Sequence, residues 1–425
     1  MITISNGIIV LFRVLDSSLS LTYLERTISC LERKNMKQFF EYLNILVIPT
    51  DTCNLNCEYC FHNDYILQDT SPYMTRDILE HLIKISIPYY KNINYIWHGG
   101  EPLSMGISFY EDVVNLQKKY NKFNTIIRNN IQTNMTLMDK YTAKFLIENG
   151  FNVSTSYDGI KNEELRHNTS DFFNGKFIWE QAGGKCGMIM VVSNMNIDTL
   201  IESYEYFKQE HINYVMNPYT KSLFEDHQKQ LIISGNKYAE KMIEFFDYWK
   251  KDENCNIIVK YFHEIINYIL YKKKSKCNVT SCLGKWLCVR PNGTVTPCNR
   301  YFPTEYSFGN ILDMYNINQA FESDGFKLLL TQAIERRNKC KSCDIFDYCS
   351  GGCNNIALVY GGVDKNNNDM CIALRKLYKH INTYLYKIIA DEEVIYNPIL
   401  RKIVDNYQNQ SKDPSNSIEI KPPEI

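Results

Sequence analysis

The sequence carries no excess of charge: 47 lysine and arginine residues face 48 aspartate and glutamate residues across 425 positions, a net charge of −1. A strongly basic chain built to neutralise nucleic-acid phosphates is thereby excluded. Long apolar runs are missing too. No stretch approaches the roughly 18 apolar residues of a membrane-spanning helix. The first 20 residues lack a basic start, and their apolar stretch over 8–12 is too short for a secretory signal. The expectation is a cytoplasmic protein with neither a nucleic-acid nor a membrane partner. Length as a soft prior suggests two or three domains, and 44% hydrophobic with 22% charged residues is ordinary for a globular chain.

Cysteine is what the chain has in quantity. There are 15, and eight of them lie between Cys282 and Cys371. An odd total leaves no complete disulfide pairing, and in a reducing compartment clustered thiols read as metal ligands or catalysts before disulfides.

Short apolar or alternating runs predict strands at 42–48, 93–97, 125–131, 151–155, 187–192 and 212–216, with amphipathic helical runs between most of them. Ile78, Leu82 and Ile85 recur at helical spacing. Tyr141, Phe145 and Leu146 fall on one helical face with Gly150 as a stop, and Asp198 reads as the N-cap of a helix over 199–209. Strand–helix alternation argues for parallel strands with helices outside, curled one way by right-handed crossovers. Six units fall short of a closed barrel. The expected fold class is α/β: a partial (β/α)6 TIM-like barrel followed by a small cysteine-rich α+β domain. The expected boundaries are an N-terminal extension over 1–41 with a helical candidate at 21–40, the barrel over 42–235, and bridging helices over 236–275. The cysteine-rich domain follows over 276–375, then a C-terminal helix and disordered tail over 376–425, polar from about Gln408. The bridging helices are placed at 237–249, with Ala239, Met242, Ile243 and Phe246 on one face, and at 256–271.

In barrels of this kind chemistry sits at the C-terminal ends of the strands. There the sequence places Cys53, His98-Gly99-Gly100-Glu101-Pro102, Gln132-Thr133-Asn134, Ser156-Tyr157-Asp158-Gly159, Ser193-Asn194 and Asn217-Pro218. At any one strand end such residues can simply make a turn; six in succession mark a rim. Cys53-x3-Cys57-x2-Cys60 puts three soft thiolates in one loop. With His62 as a fourth donor they would suit zinc. Alone they leave one iron of a 4Fe–4S cluster open, and a place at a barrel mouth favours that.

This stretch resembles the signature of the radical S-adenosylmethionine superfamily. The resemblance implies a cluster whose open iron chelates S-adenosylmethionine and whose electron cleaves it to a 5′-deoxyadenosyl radical that abstracts hydrogen from substrate. Gly99-Gly100-Glu101-Pro102 resembles the family's GGEP stretch, which implies contact with the cofactor's amino group. Gln132, Asn134 and Ser156 resemble further cofactor residues, with Arg166 as the carboxylate partner. The later pattern, Cys282-x10-Gly293-x4-Cys298, then Cys340-x2-Cys343-x5-Cys349-x3-Cys353 and Cys371, resembles the SPASM domain, with Cys288 as an eighth thiolate. By that family's interleaved pattern Cys282, Cys288, Cys298 and Cys353 would hold one auxiliary 4Fe–4S cluster. Cys340, Cys343, Cys349 and Cys371 would hold another, for three clusters in all. Cys277 also satisfies the spacing before Gly293 and could replace Cys282. A two-zinc ribbon uses similar spacings, so a zinc-binding interaction protein is the alternative of another class. Cys30, Cys186 and Cys255 read as ordinary thiols.

The resemblance implies a peptide-modifying enzyme. The branch of anaerobic sulfatase-maturating enzymes, which make formylglycine, shares the WHGGEPL and QTN stretches but carries Asp after its PC pair, assigned as a base. Here Asn299 follows Cys298, and a neutral amide cannot accept that proton. The leading expectation is therefore maturation of a ribosomally made precursor peptide, by a thioether or carbon–carbon crosslink or by epimerisation, with formylglycine formation the alternative. Eight auxiliary ligands would leave no auxiliary iron open, which favours electron transfer over substrate ligation there. The implied partners are the peptide and an electron donor such as flavodoxin or ferredoxin; the 41 residues before the barrel are few for a winged-helix module, which leaves leader recognition vestigial, located elsewhere, or supplied by a separate leader-binding protein.

Overall fold

The computed structural model describes residues 40–60, 72–221, 229–275, 277, 279–301 and 305–411. The candidate helix at 21–40 lies outside them apart from Phe40, as do Cys30, His62 and the tail beyond Ser411.

Six strands run in parallel and in chain order: β1 (Phe40–Thr50), β2 (Tyr90–Gly99), β3 (Ile126–Thr133), β4 (Asn152–Ser156), β5 (Cys186–Val192) and β6 (Tyr214–Pro218). They match the six predicted strands with small shifts in their ends. Helices cross over between them: α1 (Arg76–Ser86), α2 (Ile107–Tyr120), α3 (Lys140–Glu148), α4 (Asn162–Arg166), α5 (Thr169–Gln181) and α6 (Leu200–Gln209). The sheet is open, with β6 at one end. β1 is central, and from Ile45 to Thr50 every residue is buried and none is charged, as a strand covered on both faces requires. Under α2, the fully buried Trp97 donates to Asn129 Oδ1 at 3.1 Å and meets Phe109 and Tyr110 edge-on. Burying a side chain of that size contributes about 1.5–3 kcal/mol. α1 buries Ile78, Leu82 and Ile85 as expected and is capped by Thr75, whose side chain accepts from Ile78 N.

Three local expectations need correction. On α3 the buried positions are Ala143 and Leu146, and Tyr141 is exposed; two residues from Ala143 it points about 200° around the helix. Asp198 does not cap α6. A 3-10 turn (Ile197–Thr199) precedes the helix, and Asp198 pairs with Lys237 at 3.0 Å and Lys241 at 3.6 Å. The second bridging helix begins at Lys260, since Val259 bridges Tyr214 on β6 and Ile258 N donates to Asn213 Oδ1.

Beyond the barrel, α7 (Gly235–Trp249) and α8 (Lys260–Tyr271) pack with the long α12 (Asp369–Ile389). Before α12 lie α9 (Asp324–Cys340), α10 (Phe346–Cys349) and α11 (Asn354–Val359). A last helix, α13 (Pro398–Ser411), covers 408–411, where the polar sequence predicts a disordered tail. The cysteine-rich segment is joined to the barrel by its sheet. β7 (Trp286–Val289) pairs in parallel with β1, and β8 (Thr294–Thr296) and β9 (Gly309–Asn310) follow antiparallel, making nine strands. Among the described residues no helix is long and apolar enough to cross a membrane.

Candidate active site

β1 delivers the chain through Asp51 and Thr52 to Cys53, and the loop after β2 clamps that exit. Gly100 N donates to Thr50 O at 3.0 Å and Glu101 N to Thr52 O at 2.8 Å. The approach is close enough that a Cβ on Gly100 would stand 1.9 Å from Thr52 O, and Gly99 has φ +119°. Both positions therefore require glycine because backbone meets backbone there. Glu101 is fully buried and does not line the cavity. One carboxylate oxygen accepts from Leu103 N at 2.9 Å and Thr133 Oγ1 at 2.7 Å, the other from Asn134 N at 2.7 Å. Burial raises its pKa against these donors. This differs from the expected ammonium contact: the carboxylate ties the loop after β2 to the end of β3.

The second half of the site forms where the Cys53–Cys60 loop meets α4. Tyr59 donates to Asp158 Oδ2 at 2.5 Å and accepts from Arg166 Nη1 at 2.6 Å; Asp158 Oδ1 accepts from Val191 N at 2.8 Å. All are buried or partly buried, and burial raises the pKa of Tyr59 and of Asp158 while the Arg166 charge opposes it. Burial raises Cys57 as well, and Arg166 again opposes. Arg166 is thus a placed guanidinium, and its Nε is buried without a hydrogen-bond partner among the described residues.

These groups surround a cavity of about 360 Å³. Cys53, Cys57 and Cys60 line it together with Gly99, Gly100, Gln132, Asn134, Ser156 and Arg166, so of the expected cofactor residues only Glu101 stands behind the wall. Gln132 Nε2 donates to Ser156 Oγ at 3.0 Å, and Asn134 Nδ2 reaches Asn54 Oδ1 at 2.9 Å and Cys53 Sγ at 3.8 Å. Part of the lining comes from β6 and the cysteine-rich segment. It includes Asn299, Arg300 and Asn355, with Arg300 Nη1 donating to Thr220 Oγ1 at 2.6 Å. Tyr59, Arg300 and Asn355 were missed from sequence. Only their nearness to Cys60, Cys298 and Cys353 signalled them.

The eight later cysteines fall into two neighbourhoods. Burial pushes Cys298 well above its ordinary value, and Cys353, Cys282 and Cys288 push it further. Burial raises Cys349 to about 12, with Cys371, Cys340 and Cys343 adding to it. The second group lines its own cavity of about 240 Å³, where Cys353 also reaches. Cys288 sits fully buried in β7 opposite Leu46. Cys277 is exposed and near enough to Cys282 to raise it. Among the described residues no three His, Cys, Asp or Glu side chains are gathered tightly enough to hold a single metal ion.

Two observations test whether iron–sulfur clusters and S-adenosylmethionine fit these residues. Cys277 apart, the thiols are at least partly buried, which makes their ionisation unfavourable until a cation compensates, as metal ligation does. The partnerless Arg166 Nε in the wall is a donor suited to a carboxylate. Both fit.

Residues 47–207 match the Radical SAM superfamily, and residues 277–344 match SPASM, an iron–sulfur cluster-binding domain. A cysteine-type anaerobic sulfatase-maturating enzyme of Clostridium perfringens is 27% identical over 362 residues, covering 80% of this chain and 96% of that one. A serine-type anaerobic sulfatase-maturating enzyme of Bacteroides thetaiotaomicron is 25% identical, covering 82% and 91%. The solved structure of native anSMEcpe with bound AdoMet superposes with a TM-score of 0.74 at 26% identity, over 83% of this chain and all of that one. SuiB of Streptococcus suis shares the fold at a TM-score of 0.57 and 16% identity, over 83% and 82%. A strand-end cavity holding three thiols and a placed arginine, beside a sheet-linked segment with two thiol groups, agrees with these likenesses: the chain is a radical S-adenosylmethionine enzyme with a SPASM domain, related to the anaerobic sulfatase-maturating enzymes.

Proposed function

We propose that this enzyme installs a crosslink, or an epimerised residue, in a ribosomally made peptide. The observation that carries the reading is Asn299 in the wall of the cavity that the three cysteines also line, at the position where the resemblance to the sulfatase-maturating branch implies an aspartate base. The carboxylates nearest the cavity are otherwise engaged: Glu101 and Asp158 accept internal hydrogen bonds, and Asp51 pairs with Arg290. Cys53, Cys57 and Cys60 would hold a 4Fe–4S cluster, which together with S-adenosylmethionine would supply the one-electron chemistry that removes hydrogen from the peptide. Arg166 holds the cofactor carboxylate, with Tyr59 fixing the guanidinium. Gln132, Asn134 and Ser156 line the cofactor's side, and the backbone of Gly99 and Gly100 faces its amino group. The peptide enters between β6 and Asn299. Cys282, Cys288, Cys298 and Cys353 hold one auxiliary cluster and Cys340, Cys343, Cys349 and Cys371 the other, both fully ligated. A donor such as flavodoxin or ferredoxin supplies the first electron.

The likeness to sulfatase-maturating enzymes over four-fifths of the chain favours formylglycine formation as a second reading. Reconstituted enzyme is incubated with short peptides encoded by any neighbouring reading frames and with a Cys-containing sulfatase peptide. Loss of two hydrogens or uptake of solvent deuterium in the first supports the proposal. Formylglycine in the second, with the first unchanged, replaces it.

A further inference from the structure

Between the two thiol groups lies a buried cation. Arg336, on α9, is 2% exposed. Its Nε donates to Gly351 O at 2.8 Å and its Nη2 to Gly352 O at 3.4 Å; Asn354 Oδ1 and Val363 O take further bonds. Gly351 and Gly352 connect Cys349 to Cys353, and Asn354 follows directly, so the guanidinium is held on the short link where one thiol group passes into the other. It lines the second cavity beside Cys340, Cys349 and Cys353. Its four acceptors are all neutral, and no carboxylate pairs with it among the described residues. Carbonyls satisfy its N–H groups but leave its charge uncompensated, and an uncompensated buried charge is costly. The groups of opposite sign in reach are the thiolates. Cys353, Cys340 and Cys349 act electrostatically on Arg336, and Arg336 acts on Cys282.

We propose that Arg336 is a counter-charge shared by the two auxiliary clusters, a positioning residue that raises both reduction potentials. The proposal rests on the two-cluster reading above. Reduction by one electron from an external donor adds one negative charge to a cluster. A nearby fixed cation stabilises that form, and net charge and surroundings are what set such potentials. Arginine keeps its proton at any working pH, so the offset is permanent.

The test uses the full chain, anaerobically reconstituted, as wild type, Arg336→Gln and Arg336→Lys. Iron and sulfide are measured first, then each cluster's midpoint potential by titration followed with electron paramagnetic resonance. In fully loaded Arg336→Gln both auxiliary potentials shift negative. Arg336→Lys, which keeps the charge, lies between that variant and wild type, and the S-adenosylmethionine-binding cluster does not move. Unchanged auxiliary potentials in the loaded glutamine variant overturn the proposal. So does a lysine variant displaced as far as the glutamine one, or loss of iron from both variants, since each assigns Arg336 to scaffolding alone. Wild-type protein with only one cluster's iron overturns the two-cluster reading itself, and that result is visible before any variant is made.

Discussion

Arg290 in the hairpin after β7 and Asp51 at the end of β1 form an ion pair at 3.3 Å with side chains 1% and 2% exposed. The same guanidinium donates to Asn299 O and Tyr301 O, at 3.2 and 3.3 Å. One residue thus couples the strand that leads to Cys53 with the loop that carries Cys298 and Asn299 into the cavity. Removing one partner strands a buried charge, which typically costs about 3–5 kcal/mol. Arg290→Met should lower the urea midpoint accordingly, and Arg290→Met with Asp51→Asn should recover part of the loss. A double variant no more stable than the single one would mean that the carbonyl contacts, and not the ion pair, are what Arg290 supplies.

Iron content tests the cofactor assignment directly. Three four-iron clusters predict about twelve iron per chain after anaerobic reconstitution. Cys57→Ala should bind about eight, the auxiliary share, and produce no 5′-deoxyadenosine. Persistent 5′-deoxyadenosine in that variant would place the cofactor site elsewhere.

Arg166 should matter through cofactor binding. A hydrogen bond between charged groups contributes about 1.5–3 kcal/mol, so Arg166→Ala should weaken S-adenosylmethionine binding by roughly 10- to 150-fold. Iron content should stay at the wild-type level. Tyr59→Phe removes the bond that fixes the guanidinium but keeps its charge, and should produce a smaller loss. Calorimetric titration of the loaded protein distinguishes the two; equal losses would make Tyr59 a direct contact.

Glu101 should behave as a brace. Three internal donors lose their acceptor in Glu101→Ala, at about 1–3 kcal/mol for each buried group left unsatisfied. Thermal unfolding should show a clear loss of stability in the protein before cluster loading. A variant that is as stable as wild type yet binds S-adenosylmethionine poorly would return Glu101 to cofactor contact.

Asn299→Asp adds a carboxylate where the related branch has its base. Formylglycine on a Cys-containing sulfatase peptide should appear or increase in this variant, read by mass spectrometry. No product from either protein would weigh against the second reading of function.

The strands were legible because a two-residue or fully apolar pattern depends on neighbours along the chain. All six parallel strands lie where the pattern put them. Element ends were less so. Asp198 looks like a cap by residue type, yet two lysines on α7, some 40 positions away, take its carboxylate. Tyr141 has the right chemistry for a buried face, but the sheet decides which face is buried. The three thiols of the Cys53–Cys60 loop needed no such context, and neither did the order of the eight later cysteines.

What the sequence by itself determined is the chemistry available: three thiols within one loop, eight in a later segment, a glycine pair before a glutamate, and an amide where a base could stand. Those are properties of residue type and short spacing. Tertiary structure decided what each is near. It seated Glu101 among three internal donors and gave Arg166 to Tyr59. It brought Arg290 to Asp51 across 239 positions and set Arg336 on the link between two thiol groups. The Arg290–Asp51 placement follows from β7 adding to β1 in the sheet. A pairing between strands so far apart in the chain is a long-range contact, stabilised by burial that no local window of sequence contains.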